Sequence, residues 1–162
     1  MNITRTASTL TAVAAIAACA APAHAASHGT LRFFSKQTSE RIIDQSGNPI
    51  SGDPAVGDIF IGTDDDYVGN HKKHAKKAVG SDHILCTLTE LDVANGKLIG
   101  VCDGQFALPG GMVLSDHQTV NLAEDATFEI TGGTGKYARV KSGTIVSHST
   151  SNGTDSDVTI KF

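Results

Sequence analysis

The chain has 162 residues, with 13 basic and 17 acidic side chains and a formal net charge of −4, a balance that argues against a nucleic-acid partner, which calls for clustered positive charge. Tryptophan is absent and only two tyrosines and six phenylalanines occur, so aromatic stacking platforms are not available in number. Seventeen glycines and short alternating apolar runs, with no long segment of 3.6-residue period, point to an all-β domain.

Residues 1–25 read as a signal peptide and not as fold. Arg5 precedes a small-residue apolar run from Leu10 to Ala21, and Ala23-His24-Ala25 supplies a small-x-small cleavage site, the pattern of an export signal. Ile16-Ala17-Ala18-Cys19 also looks like a bacterial lipobox. A single acyl chain is a marginal anchor and no second anchoring signal is visible, so a secreted chain is the expectation and a lipid anchor through Cys19 the alternative. No later apolar run approaches the ~20 residues of a membrane helix. About 137 residues remain, 26–162, which suits one domain with a core of its own. Setting Arg5 aside leaves 12 basic side chains against 17 acidic.

Eight strands are expected in that domain: Thr30 to Thr38, Gly57 to Thr63, His83 to Leu91, Lys97 to Phe106, Met112 to Leu122, Thr127 to Thr131, Ala138 to His148 and Ser156 to Phe162. The last alternates most cleanly, with Val158, Ile160 and Phe162 on one face and Asp157, Thr159 and Lys161 on the other. Asn95-Gly96 is a hairpin signal, and Leu108-Pro109-Gly110-Gly111 marks the next turn. Short connections make a meander, and eight meandering strands close most simply into an antiparallel up-and-down β-barrel. One long connection, Asp64 to Ser81, carries most of the loop charge.

The densest backbone signal is Phe128-Glu129-Ile130-Thr131-Gly132-Gly133-Thr134-Gly135-Lys136-Tyr137. Three glycines in four residues require a positive φ or a close approach of other chain. A phosphate loop is excluded. Ile130 stands where that motif needs glycine, and Tyr137 follows the lysine where it needs Ser or Thr.

Four segments in order carry a resemblance to the allene oxide cyclase barrel superfamily, which includes plant dirigent proteins and bacterial dirigent-like secreted proteins. They are Val56-Gly57-Asp58-Ile59-Phe60 through Tyr67, Val79-Gly80-Ser81-Asp82-His83-Ile84-Leu85-Cys86, Phe106-Ala107-Leu108-Pro109-Gly110-Gly111, and the ITGGTG turn within Phe128 to Tyr137. The resemblance implies a closed eight-stranded antiparallel barrel, trimeric in many plant members, with an apolar cavity at one mouth. Plant cyclases use a glutamate on the first strand and a buried asparagine that holds a water. Here Leu31 to Gln37 has no carboxylate, the nearest being Glu40, and the asparagine position falls on Asp64. The family's cavity cysteine falls on Cys86. With two polar groups replaced, fatty-acid allene oxide cyclisation is not expected. Dirigent proteins use cavity aspartates, and Asp64 and Asp58 are the candidates for that role, with Tyr67 as a candidate ligand contact.

Each candidate also has a plainer reading. Asp58 suits a turn hydrogen bond, Asp64 to Asp66 a solvated strand end, and Tyr67 a packing role with a wet hydroxyl. An aspartate buried in an apolar mouth would instead have a raised pKa and serve as an acid or base. His71 and His74, near the aspartate run, suggest a metal site, but four lysines within residues 71–77 repel a cation, and a solvated loop without metal is expected. Cys86 and Cys102 are the only cysteines after the signal, and parity in an exported chain favours a disulfide. Their numbers sum to 188, so they face each other only if the hairpin register is even; a two-residue Asn95-Gly96 turn gives an odd one. His83, three residues from Cys86, falls on the opposite strand face.

Three functions are compatible with this reading, none needing a cofactor: a dirigent-like protein or cyclase that steers a small apolar or phenolic molecule, a non-catalytic binder of a small hydrophobic ligand, and a secreted structural barrel. Strand count cannot choose among them, because an eight-stranded barrel either fills with side chains or holds one small ligand.

Overall fold

The computed structural model describes residues 28–162; the expected signal peptide and Cys19 lie outside the described residues. Ten strands follow one another: β1 (Thr30–Ile43), β2 (Ile59–Asn70), β3 (Lys73–His74), β4 (Gly80–Asp92), β5 (Lys97–Leu108), β6 (Gly111–Asn121), β7 (Ala126–Glu129), β8 (Gly132–Gly133), β9 (Thr144–Ser149) and β10 (Ser156–Lys161). Nine lie on one antiparallel path, β7-β9-β10-β1-β2-β4-β5-β6-β8, and β3 folds back on β2. β7 and β8 are two parts of one segment, the first paired with β9 and the second with β6. The same stretch of chain therefore borders both ends of the path, and the sheet curls as a barrel.

The strands form where alternation is available, and their faces follow it. On β10, Val158 and Ile160 are buried, and Lys161 is exposed. Buried Phe33, Phe106, Val113, Phe128, Ile145 and Ile160 fill the inside, the usual fate of these side chains. Three expected boundaries are corrected. β2 continues through Asp64 to Tyr67 as far as Asn70, so the aspartate run is strand and not loop. The expected strand from Ala138 is replaced by a single 3₁₀ turn, Gly135–Tyr137, and irregular chain as far as β9. Tyr137 and Val140 are both buried, and a three-residue spacing of buried side chains cannot belong to one strand face. The expected sixth strand, Thr127 to Thr131, is divided, since Thr131 already donates its N–H to Leu114 of β6.

The glycine-dense turn does both things its composition requires. Gly135 has φ 57°, and a Cβ there would collide with the Gly110 carbonyl. Lys136 N–H donates to the Gly110 carbonyl at 2.8 Å, and Thr134 N–H donates to Met112 at 2.9 Å. The ITGGTG turn is thus docked, backbone against backbone, on the Pro109-Gly110-Gly111 hairpin.

The Cys86–Cys102 register has a specific cause. β4 and β5 are joined by a four-residue loop, since Asp92 pairs with Lys97, and that odd sum would set Cys86 opposite Asp103. A bulge between Leu88 and Glu90 shifts the register by one residue, as an extra residue in one strand does. Cys86 then faces Cys102 and the two are bridged, with Cα atoms 4.0 Å apart. Thr89, the inserted residue, makes the disulfide geometrically available.

Candidate functional site

A cavity of about 320 Å³ lies inside the curl, between β1, β2, β4, β5, β6, β9 and β10. Its origin is visible in successive inward-facing rows of residues. One row runs Phe60, Cys86, Cys102 and Gln118 across β2, β4, β5 and β6; the next runs Gly62, Ile84, Gly104 and Ser115; the third runs Asp64, Asp82, Phe106 and Val113. In the middle row two of four positions have no side chain, and a Cβ built on Gly104 would meet nothing nearer than 3.9 Å. The space is left by sequence and not by poor packing. The disulfide row bounds it on one side, and the aspartate row borders it on the other.

The polar wall comes from period-two placement of carboxylates. Asp64 and Asp66 alternate with outward Asp65 on β2, and Asp64 faces Gln37 of β1 on one side and Asp82 of β4 on the other. Asp66 is fully buried and accepts a 2.6 Å hydrogen bond from the Ser35 hydroxyl. Burial raises the pKa of Asp66, against the lowering effect of the Ser35 hydrogen bond. Asp82, also buried, is pushed well above the ordinary carboxylate value, first by burial and then by the charges of Asp66 and Asp64. Two adjacent buried carboxylates cannot both ionise. The upward push is the stronger at Asp82. Asp66 Oδ2 is buried and has no hydrogen-bond partner among the described residues.

Asp64 differs. It is only partly buried, and its pKa is raised to about 6, first by burial and then by Asp66, Asp155, Glu40 and Asp65. Near neutral pH Asp64 is therefore largely ionised, beside Asp82, whose ionisation is opposed by burial and by the neighbouring carboxylates. Different environments push the two apart, as in sites that separate acid and base roles between two carboxyls. Ser115, on the far side of the row gap, is buried and its hydroxyl has no partner among the described residues.

The structure distributes the sequence candidates unevenly. Asp64 lines the cavity. Asp58 lies in the turn before β2, where its carboxylate accepts the Ala55 N–H at 2.8 Å, and it does not line this cavity. Tyr67 pairs with Phe34 on the outer face, with its ring 6.3 Å from Phe34 and 5.4 Å from His74. His71 Nδ1 is hydrogen-bonded to Asp157 Oδ2 at 2.5 Å, and no group of three or more metal-ligating side chains occurs among the described residues. His83 is exposed and shares a hydrogen bond with the Thr63 hydroxyl. Asp66, Asp82, Ser35 and Ser115 were missed as site residues. The one readable signal was the i, i+2 spacing of Asp64 and Asp66, which puts both on one strand face; Asp82 joins them only through the β2–β4 register.

The fold and site define a class: an all-β barrel with an internal, carboxyl-walled cavity. Among solved structures the chain is similar to pyocyanin demethylase, at 24% sequence identity and a TM-score of 0.61, over 82% of this chain and 98% of that one. This likeness supports the barrel fold. No protein-family model matches the chain, and no curated protein matches it. No helix among the described residues is long and apolar enough to cross a membrane.

Proposed function

We propose that the chain is an exported, dirigent-like barrel, closed as eight strands through residues 126–133, that binds a small apolar or phenolic molecule and steers its cyclisation or coupling. The observation that carries this is the cavity of about 320 Å³ with Asp64 and Asp82 on one wall and Phe60, Phe106, Phe128 and Ile145 around it. That volume lies at the small end of ligand sites, which pair apolar linings with a few placed polar groups. Asp64, largely ionised near neutral pH, accepts a proton from the bound molecule, and Asp82, whose burial favours the protonated form, donates one to an oxygen of it. For cyclisation one proton leaves the ligand and one returns, so the net change is an isomerisation that needs no oxidant; coupling instead joins phenoxy radicals already formed by a separate one-electron oxidant, and the cavity only orients them. The bridged Cys86 has no free thiol to contribute. Export agrees with the disulfide, with residues 1–25 as the signal; a lipid anchor at Cys19 is the alternative. A demethylase acting on pyocyanin shares the barrel, which is compatible with small-molecule chemistry in this fold but does not assign it.

Titration with apolar and phenolic probes tests the reading. Gly104→Val is expected to narrow the cavity and weaken binding while the fold persists, because the added carbons enter open space. Binding lost in both Asp64→Ala and Asp64→Asn marks a polar contact; turnover lost with binding kept in Asp64→Asn marks proton transfer. If no probe binds the native chain, the ligand-binding reading fails and a structural barrel remains.

A further inference from the structure

We propose that one end of the barrel is a docking face for an anionic lipid bilayer, with lysines of the β2–β4 connection against the headgroups and Val68 and Val79 entering between them. The proposal is independent of the cavity and of any ligand it holds.

The first observation is how the topology sorts charge. Successive antiparallel strands run in opposite directions, so their connections fall alternately at the two ends of the barrel. The connections at the end where β1 begins are 71–79, 109–110 and 130–143. They carry four lysines between positions 72 and 77, together with Lys136, Arg139 and Lys141, and no aspartate or glutamate. The connections at the opposite end are 44–58, 93–96, 122–125 and 150–155. They carry Asp44, Asp53, Asp58, Glu124, Asp125 and Asp155, and no lysine or arginine. Net charge conceals this division, because the two ends nearly cancel. The basic side chains are exposed, apart from half-buried Lys136, and none forms an ion pair among the described residues. The acidic end lies roughly 30 Å away along tilted strands, several Debye lengths at physiological salt, so it does not cancel an attraction felt at the basic end. Clusters of this size bind anionic lipid surfaces.

The lysines sit on a fixed hairpin and not on a loose tail. Asn70 Oδ1 accepts the N–H groups of Lys72 and Lys73, both at 3.0 Å. His71 N–H donates to Asp157 Oδ1 of β10 at 2.6 Å, and the His74 ring lies 4.7 Å from that of Phe34. The backbone of the hairpin is therefore already ordered before it meets a surface, which lowers the cost of binding.

The second observation is apolar. Val68 and Val79, 53% and 37% exposed, flank this hairpin in the chain; the other exposed large apolar side chains, Val56 and Leu85, lie away from it. A soluble polyanion offers such side chains nothing, whereas the interface of a bilayer buries them. The third is where the chain enters the domain. Gly29 pairs with Phe162 at the basic end, so the residues before β1 approach from the proposed face. Cys19, the alternative lipid anchor, precedes His28 by nine residues, and a basic patch is the kind of second signal that makes a single acyl chain a stable anchor.

Co-sedimentation of the mature chain, residues 26–162, with lipid vesicles tests this. Phosphatidylcholine vesicles containing about one-third phosphatidylglycerol are expected to bind it about tenfold or more tighter than pure phosphatidylcholine at about 0.05 M salt, and the advantage should shrink severalfold at about 0.3 M. Lys72→Glu with Lys77→Glu should abolish the preference. Arg41→Glu with Lys97→Glu, the same change of net charge near the acidic end, should leave it within about twofold. Val68→Ser with Val79→Ser should weaken vesicle binding severalfold and leave binding of soluble polyphosphate unchanged. No preference for anionic vesicles, or equal losses in the two charge-reversal pairs, overturns the proposal. Polyphosphate binding without vesicle binding also overturns it, and makes the basic end a site for a soluble polyanion.

Discussion

Asp64 ought to be a liability to the empty barrel, and Asp64→Asn measures how large. Its carboxyl has an ordinary value of 3.8 and a folded value of about 6. Because the folded pKa is the higher one, the native state holds the proton more tightly than the unfolded chain does. Stability is therefore lost as pH rises from 3.8 through 6, and the loss is complete above that window. At 1.36 kcal/mol per pH unit the difference is ~3 kcal/mol. Asp64 is only partly buried, and solvent screening of the charge reduces this to about 1–2 kcal/mol. Asparagine keeps the shape, removes the charge and breaks no side-chain hydrogen bond of Asp64. We expect Asp64→Asn to be more stable than the native chain by about 1–2 kcal/mol near pH 8 and equal to it near pH 3.5, where the native carboxyl is already neutral. Urea unfolding at both pH values, with the disulfide intact, reads this directly. Equal stabilisation at both pH values, or none near pH 8, would refute the assignment of a charged, desolvated Asp64.

Three further outcomes follow from the same geometry. Asp82→Asn keeps the shape and removes a buried carboxyl whose ionisation burial and the charges of Asp66 and Asp64 oppose, so it should be tolerated in denaturant unfolding; a loss of more than about 1–3 kcal/mol would show that the carboxyl makes a hydrogen bond the fold needs. Replacing Cys86 and Cys102 by serine should lower stability by about 3 kcal/mol on the loop-entropy relation; two free thiols by intact mass in unreduced exported material would show that the bridge does not form. Tyr67→Ala, which removes an outer-face contact with Phe34 and His74, should cost about 1–2 kcal/mol and leave probe binding unchanged; a loss of binding would place Tyr67 in the site after all.

The all-β class, the meander and the turn chemistry were legible because each depends on local pattern. Alternation at Val158 and Ile160 assigns a strand and its faces without any partner. Pro109-Gly110-Gly111 and Gly132 to Gly135 mark turns because few other residues tolerate those backbones. That the two turns dock on each other was not legible, since nothing local pairs residues twenty-five apart. The break at Tyr137 and Val140 was missed for a related reason: their burial comes from the way the chain crosses the end of the barrel, and apolar residues flanked by β-formers read as strand.

The site divides along the same line. From the sequence alone came Asp64 as a cavity candidate and the pairing of two cysteines by parity; the i, i+2 spacing of Asp64 and Asp66 was present in the sequence, but Asp66 was missed. Tertiary structure alone decided that Asp82 stands across from Asp64, that Ser35 reaches Asp66, and that Gly62, Ile84, Gly104 and Ser115 share one row with room in it. It also decided the disulfide, which needed the Thr89 bulge to turn an odd register even. The physical reason is that a strand records which of its residues share a face but not which neighbour that face meets. Cross-strand register is set by loop lengths and bulges summed around the sheet, and the pKa of each aspartate is set by the neighbours and desolvation which that register imposes.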